Sequence, residues 1–210
     1  MNQTFDAVYQ QSINDPEGFW AEAASEIDWI TPWKLVLDKT NPPHSRWFQG
    51  GQLNTCYNCI DRHVIAGNGK QNAVIYDSPV TQTKKNITYS ELLSQTALFS
   101  GVLASKGVVK GDRVILYMPM IPEAIVATMA CARLGAIHVI VFGGFAANEL
   151  AVRIDDCKPK VIVTASCGIE PNRLISYKPL LDEAIKISAH QPSASIVLQR
   201  PQKKANMHAS

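Results

Sequence analysis

From residue 88 onward the apolar positions switch between two spacings in a regular order. Thr88-Tyr-Ser-Glu91 is a capping-box signature, and Leu92, Thr96, Phe99 and Leu103 then recur on one helical face. Lys106-Gly107 supplies the stop. Arg113–Met118 reads as a buried strand, and Pro122-Glu123 opens a helix that runs through Leu134 to Gly135. Ile137–Phe142 is the next strand, Ala146–Cys157 the next helix and Lys160–Ala165 a third strand. Pro179 starts another helix, with Asp182 and Glu183 near its positive end, and Ser195–Gln199 is a fourth strand. Strands alternating with helices of this length define βαβ units and a largely parallel sheet. Such a sheet buries both faces, which accounts for the unbroken apolar run Val139-Ile-Val-Phe142.

The first half is less regular. Residues 1–45 hold three of the four tryptophans and read as helices over 5–11 and 16–27, the second entered through Asp15-Pro16-Glu17. Residues 40–45 form a turn or extended spacer, 53–64 a helix and 67–71 a loop. No internal repeat or low-complexity tract interrupts the chain. The expected fold class is α/β: a mostly parallel sheet flanked by helices, with an N-terminal helical extension. The expected boundaries are 1–85 for the extension and connecting segment, 86–200 for the βαβ part, and 201–210 for a disordered polar tail.

Composition narrows the function classes. The 210 residues are 46% hydrophobic, enough for a sizeable core, and 20 basic against 18 acidic residues leave a net charge of +2. That balance gives no support to a nucleic-acid partner. The longest nearly apolar stretch, 134–147, contains His138 and two glycines and is too short and interrupted to span a bilayer. The N-terminus has neither the apolar core of a signal peptide nor an Arg-rich amphipathic pattern. With five cysteines, an odd number, this predicts reduced thiols and a cytoplasmic location. Cys56 and Cys59 have C-x-x-C spacing, but no second pair follows at a zinc-site distance and the five histidines are scattered, so no metal site is expected.

The candidate chemistry centres on Gly143-Gly144-Phe145, after the second strand. No stretch matches the Walker loop, and the dinucleotide fingerprint lacks its third glycine and its acidic partner. A G-x-S-x-G elbow is absent as well. By spacing alone, the glycine pair is a corner between strand and helix. Asp61-Arg62-His63 has no nucleophile beside it and reads as a structural hydrogen-bond cluster; Met118 and Met120 read as packing against helices.

Three long strings carry more than spacing does: "RWFQGGQLNTCYNCIDRH" (46–63), "YMPMIPEAIVATMACARLGAIHVIVFGGFAANELAVRIDD" (117–156) and "KVIVTASCGIEPNR" (160–173). They resemble the N-terminal part of short-chain acyl-CoA synthetases of the AMP-forming, adenylate-forming superfamily, over roughly residues 5–200. "SCGIEPNR" with "FAANELAVRIDDCKPK" is more similar to the propionate branch than to the acetate branch. The resemblance implies a two-step reaction. A short-chain carboxylate attacks the α-phosphate of ATP, giving acyl-adenylate and pyrophosphate; the thiol of coenzyme A then displaces AMP.

It also implies that Glu170-Pro171-Asn172-Arg173 helps hold the nucleotide end of coenzyme A, and that Gly143 and Gly144 form part of the coenzyme's entrance. Arg173 can grip a phosphate through two charge-assisted hydrogen bonds. Pro171 and Asn172 would set the turn that presents it. Two positions depart from the family. Acetate-type relatives have a second arginine where this chain has Glu170, and many carry glycine where it has Asn172. A carboxylate at 170 cannot grip a phosphate, so it would serve through its backbone or a neighbouring donor. No catalytic residue is expected within these 210 residues. The family's Ser/Thr/Gly-rich ATP loop does not occur in them, and ATP with Mg is expected only for a full-length family enzyme. The chain is therefore expected to be inactive alone, to expose an unpaired sheet edge, and to have the remainder of such an enzyme as a partner; a non-catalytic, coenzyme A-recognising remnant or regulatory module is the alternative.

Overall fold

The computed structural model describes residues 4–207, and the chain divides into two units between Asn54 and Thr55, upstream of the 85/86 boundary expected from sequence.

In the first unit, α1 (Phe5–Asn14) and α2 (Pro16–Ser25) abut at Asp15, which caps α2 by accepting from the Gly18 amide at 3.0 Å. The short strands β1 (Leu35–Asp38) and β2 (Arg46–Gln49) pair antiparallel. Trp29, Trp33 and Phe48 pack ring to ring at 5.0–5.5 Å, so aromatic packing supplies much of the apolar burial that so small a unit needs.

In the second unit, residues 55–68 form a helical run with π-type segments at Tyr57–Asp61 and Val64–Asn68. Gly67, at φ 85°, breaks its regularity near the end. A hairpin follows, β3 (Asn72–Ser78) against β4 (Thr83–Thr88). β4 is TKKNIT, with only Ile87 buried, so neither hydropathy nor alternation marks it as a strand. α3 (Tyr89–Ser105) begins with the expected capping box: Thr88 Oγ1 accepts from the Glu91 amide at 3.3 Å, and Glu91 Oε2 accepts from the Thr88 amide at 2.8 Å.

β5 (Arg113–Met118), α4 (Pro122–Leu134), β6 (Ile137–Phe142), α5 (Ala147–Cys157), β7 (Val161–Ala165), α6 (Tyr177–Ile187) and β10 (Ala194–Leu198) then build a four-stranded parallel sheet in the order β10-β7-β5-β6. Between β7 and α6 lies a small antiparallel hairpin, β8 (Cys167–Glu170) and β9 (Arg173–Ser176). α6 starts at Tyr177, two residues before Pro179. The proline therefore sits inside the first turn, where a missing N–H costs no intrahelical bond.

β5 is central and alternates between two cores. Val114, Leu116 and Met118 pack with α3 and α4 through Leu103, Ala127, Ala130 and Cys131. Ile115 and Tyr117 pack with α5 and α6 through Leu150, Ile154 and Leu181. Two of the sequence expectations need correction. β6 is an edge strand rather than a doubly buried one: Ile140 and Phe142 are 67% and 70% exposed. Residues 201–207 are not a free tail: the Lys203 carbonyl accepts from Ser166 Oγ at 2.7 Å, and the Ala205 amide donates to Gln199 Oε1 at 2.8 Å. No helix of the described residues is long and apolar enough to cross a membrane.

Candidate functional site

α4 follows β5 on one face of the sheet, whereas α5 and α6 follow β6 and β7 on the other. Neighbouring strands whose connections leave on opposite faces open a crevice at their carboxyl ends, the usual ligand position in such sheets. Here the crevice is bounded by the loop after Met118, the bend after Phe142 and the β8–β9 hairpin, and it encloses about 300 Å³.

The glycine bend closes through the Phe145 amide donating to the Phe142 carbonyl at 3.3 Å, while Tyr117 Oη donates to the Phe145 carbonyl at 2.8 Å. The two glycines have different jobs. Gly144 has φ 96°, which side-chain-bearing residues rarely adopt. Gly143 is needed for space, since a Cβ there would lie 2.5 Å from Tyr177 Oη and 2.9 Å from the Met118 carbonyl. Gly168 meets the same hydroxyl, at 2.4 Å. The phenol of Tyr177 is thus wedged between Gly143 and Gly168. The side chain that closely approaches this corner belongs to the protein, a packing role that the sequence alone did not assign to the glycines.

Glu170 and Arg173 are register partners at the turn end of the hairpin, with Pro171 and Asn172 as the two-residue turn between them, all exposed. Arg173 Nε donates to Glu170 Oε2 at 2.7 Å and Nη2 to Oε1 at 3.3 Å. Each partner's hydrogen bonds shift the other's pKa, holding the carboxyl below its ordinary range and the guanidinium above its own. The departure at position 170 therefore has a definite consequence: a carboxylate occupies the fork that a phosphate would need. Ile175 of the same hairpin reaches the glycine bend, with its Cδ1 3.8 Å from where a Cβ on Gly144 would be. Gly143 of the bend and Glu170 of the turn line one crevice, whereas Gly144, Pro171, Asn172 and Arg173 are not among its lining residues.

Other sequence candidates separate. Asp61 pairs with Arg133 of α4 at 2.6 Å, Arg62 donates to Asn58 Oδ1 at 3.3 Å, and the His63 ring lies 4.8 Å from that of Tyr89. Met118 is a core residue, as expected, but Met120 is 88% exposed at the crevice rim, because the Pro119 turn swings it outward. Cys56 is buried, its thiol pushed up by desolvation, and Cys59 is exposed. Among the described residues no group of three or more His, Cys, Asp or Glu could hold a metal ion.

Sequence reasoning missed Tyr177, Gly168 and Arg200. Tyr177 is hidden because it opens a helix whose start, judged from Pro179, falls two residues later. Arg200 had a usable signal: a charge two residues after the apolar run Ile196–Leu198 falls just beyond the carboxyl end of a strand.

Burial pushes Tyr177 up to about 12 from an ordinary 10.0, and Cys131 up to about 12 from 9.0. The neutral forms thus persist in the fold after the unfolded chain has ionised. Stability is full below the ordinary values and declines as pH rises from 9.0 towards about 12. Urea midpoints measured at pH 8 and pH 10.5 should show that fall, and Cys131→Ala should flatten it; an unchanged midpoint would contradict these assignments.

A parallel sheet with helices on both faces agrees with the comparisons. The family description "AMP-binding enzyme" matches residues 62–209, and the chain belongs to that family. "Acetyl-coenzyme A synthetase N-terminus" matches residues 5–59. Among individual proteins, the chain is 54% identical over 193 residues to the Rattus norvegicus protein named acyl-CoA synthetase short-chain family member 3, mitochondrial, covering 92% of this chain and 28% of the relative. It is 51% identical over 197 residues to the Homo sapiens protein of the same name, covering 94% and 29%. It is 46% identical over 197 residues to the propionate–CoA ligase of Escherichia coli, covering 94% and 31%. The chain thus spans less than a third of the length of these relatives.

Proposed function

We propose that these residues are the N-terminal portion of an AMP-forming short-chain acyl-CoA synthetase, and that their part in the reaction is to form one wall of the coenzyme A site. The observation that carries this reading is that Gly143 of the bend and Glu170, the ion-pair partner of Arg173, line one crevice, in a chain 46% identical to a propionate–CoA ligase. Arg173 would hold a phosphate of the coenzyme, after Glu170 has released its fork. Pro171 and Asn172 would fix the turn, and the bend at Gly143 and Gly144 would offer backbone rather than side chain to the passing ligand. The thiol of coenzyme A is the nucleophile of the second step, so this wall positions a reactant and supplies no proton transfer of its own.

Adenylate formation depends on placing donors and cations around the transferring phosphate, and the Ser/Thr/Gly-rich loop of the family does not occur in these residues. The 210-residue polypeptide is accordingly expected to release no pyrophosphate from ATP with propionate, above a blank without protein. Release that requires the polypeptide and propionate would overturn the assignment of a purely binding role. Cytoplasmic residence belongs to the same proposal. A tagged chain found inside mitochondria, as the names of the mammalian relatives say of them, would correct it.

A further inference from the structure

The four-stranded sheet ends on an open strand. β6 pairs with β5 on one side, and no strand of the described residues pairs with the other. The Ile137 amide donates to the Asp112 carbonyl, next to β5, at 2.7 Å. Backbone groups alternate in direction along a strand, so the N–H and C=O of Ile137, Val139 and Val141 face β5. Those of His138, Ile140 and Phe142 face outward. Among the described residues these outward groups have one partner, the Phe145 amide, which donates to the Phe142 carbonyl at 3.3 Å. The side chains of the same three residues share one face of the sheet, where Ile140 and Phe142 stand exposed. Native sheets blunt such edges with lysine, proline or a bulge. β6 has none of these: it reads Ile-His-Val-Ile-Val-Phe, and its register with β5 is unbroken over its whole length. The opposite edge, β10, has no exposed residue and is followed by Arg200, Lys203 and Lys204.

We propose that β6 is a self-association surface: two copies of the chain pair their β6 strands antiparallel, about a two-fold axis at Ile140, and join their sheets into one. The outward groups select this register. Ile140 exchanges both backbone hydrogen bonds with its counterpart, and His138 pairs with the partner's Phe142 on either side of the axis, giving about six bonds. Centring the axis on Val139 or Val141 leaves one of the three outward residues without a partner inside the strand. A second copy is the occupant because the segment is its own complement in length, register and charge. Ile140 meets Ile140, Val139 meets the partner's Val141, and no like charges are opposed, since β6 holds no Asp, Glu, Lys or Arg. The paired strands run about 20 Å. With the exposed parts of Ile137, Ile140 and Phe142 they make a contact at the small end of specific interfaces, below about 1,200 Å². Association is therefore expected at about 1–100 µM rather than in the nanomolar range. The inference stands apart from the coenzyme A reading, which depends on Arg173 at the hairpin turn; either can fail without the other.

The test is sedimentation velocity of the 210-residue chain across about 1–300 µM, with amide hydrogen exchange at both ends of that range. A reversible rise from the mass of one chain to that of two, with no larger species, is expected. The amides of His138, Ile140 and Phe142 should exchange more slowly at high concentration, while those of Ile137, Val139 and Val141 do not change. Ile140→Lys sets two like charges on the axis and should weaken dimerisation by at least about tenfold. The replaced side chain is exposed, so the variant should keep the far-UV spectrum of the unaltered chain. Ile75→Lys, at a position 75% exposed on β3, is the control and should dimerise as before. If Ile140→Lys does not fold, the exchange pattern of the unaltered chain alone decides. Four results would each overturn the proposal: a monomer throughout, association that continues past two chains, a dimer indifferent to Ile140→Lys, or protection of the three outward amides at every concentration. The last would mean that the chain covers its own edge.

Discussion

Arg173→Ala is expected to weaken coenzyme A binding by about tenfold or more, the loss that follows from removing a charge-assisted, two-pronged contact. Glu170→Gln is expected to do the opposite. In the resting hairpin the Glu170 carboxylate takes both donors of the Arg173 fork, at 2.7 and 3.3 Å, so an incoming phosphate competes with it. Neutralising Glu170 removes the competitor and leaves the turn, whose register is set by the β8–β9 ladder, in place. Affinity for coenzyme A should then rise by about two- to fivefold, because exposed ion pairs are weak competitors. The rise should vanish when Arg173 is also alanine, which makes the double variant the informative one. Isothermal titration of the four proteins measures all of this. An Arg173→Ala variant that binds like the unaltered chain would mean that the salt bridge is a surface pair with no ligand.

The second large effect lies beneath the first. Gly168→Ala puts a methyl group 2.4 Å from Tyr177 Oη and 2.6 Å from its ring carbons. Tyr177 cannot yield, being buried against Tyr117 and closed off on its other side by Gly143. Overpacking of this kind costs about 1–3 kcal/mol, seen as a lower urea midpoint at unchanged slope. Gly143→Ala meets the same oxygen at 2.5 Å and a main-chain carbonyl at 2.9 Å, and should cost at least as much. Gly101, in the middle of α3 with nothing within 4 Å of its would-be Cβ, is the control: Gly101→Ala should stabilise by about 0.5–1 kcal/mol. If all three substitutions gave the same small change, the wedge between the glycines would not be a constraint on the fold.

The parallel sheet was legible because its signals are local and strong. The Thr88–Glu91 box, Pro122 and Gly135 mark helix ends, and the observed β5 and β6 match the expected strands residue for residue. The hairpins were not legible: β4 is almost wholly polar, while β8 and β9 have four residues each, too few for a period to show. The burial of β6 was misjudged because an apolar run reports what a strand could bury, whereas burial depends on which strands and helices end up beside it. The site divides in the same way. Arg173 and the glycine bend could be named from wording and chemistry. The Glu170 clamp depends on a turn geometry that the sequence does not state, and the Tyr177 wedge and the buried Arg200 guanidinium depend on residues brought together across the chain.

Coenzyme A and pantetheine, which has no phosphate, should separate cleanly in an amide-shift titration of the ¹⁵N-labelled chain. The wall reading predicts shifts from coenzyme A at 143–145 and 167–176, lost in Arg173→Ala, and much smaller ones from pantetheine at equal concentration. Shifts of equal size from both ligands, or a coenzyme A response confined to residues outside those two segments, would contradict it.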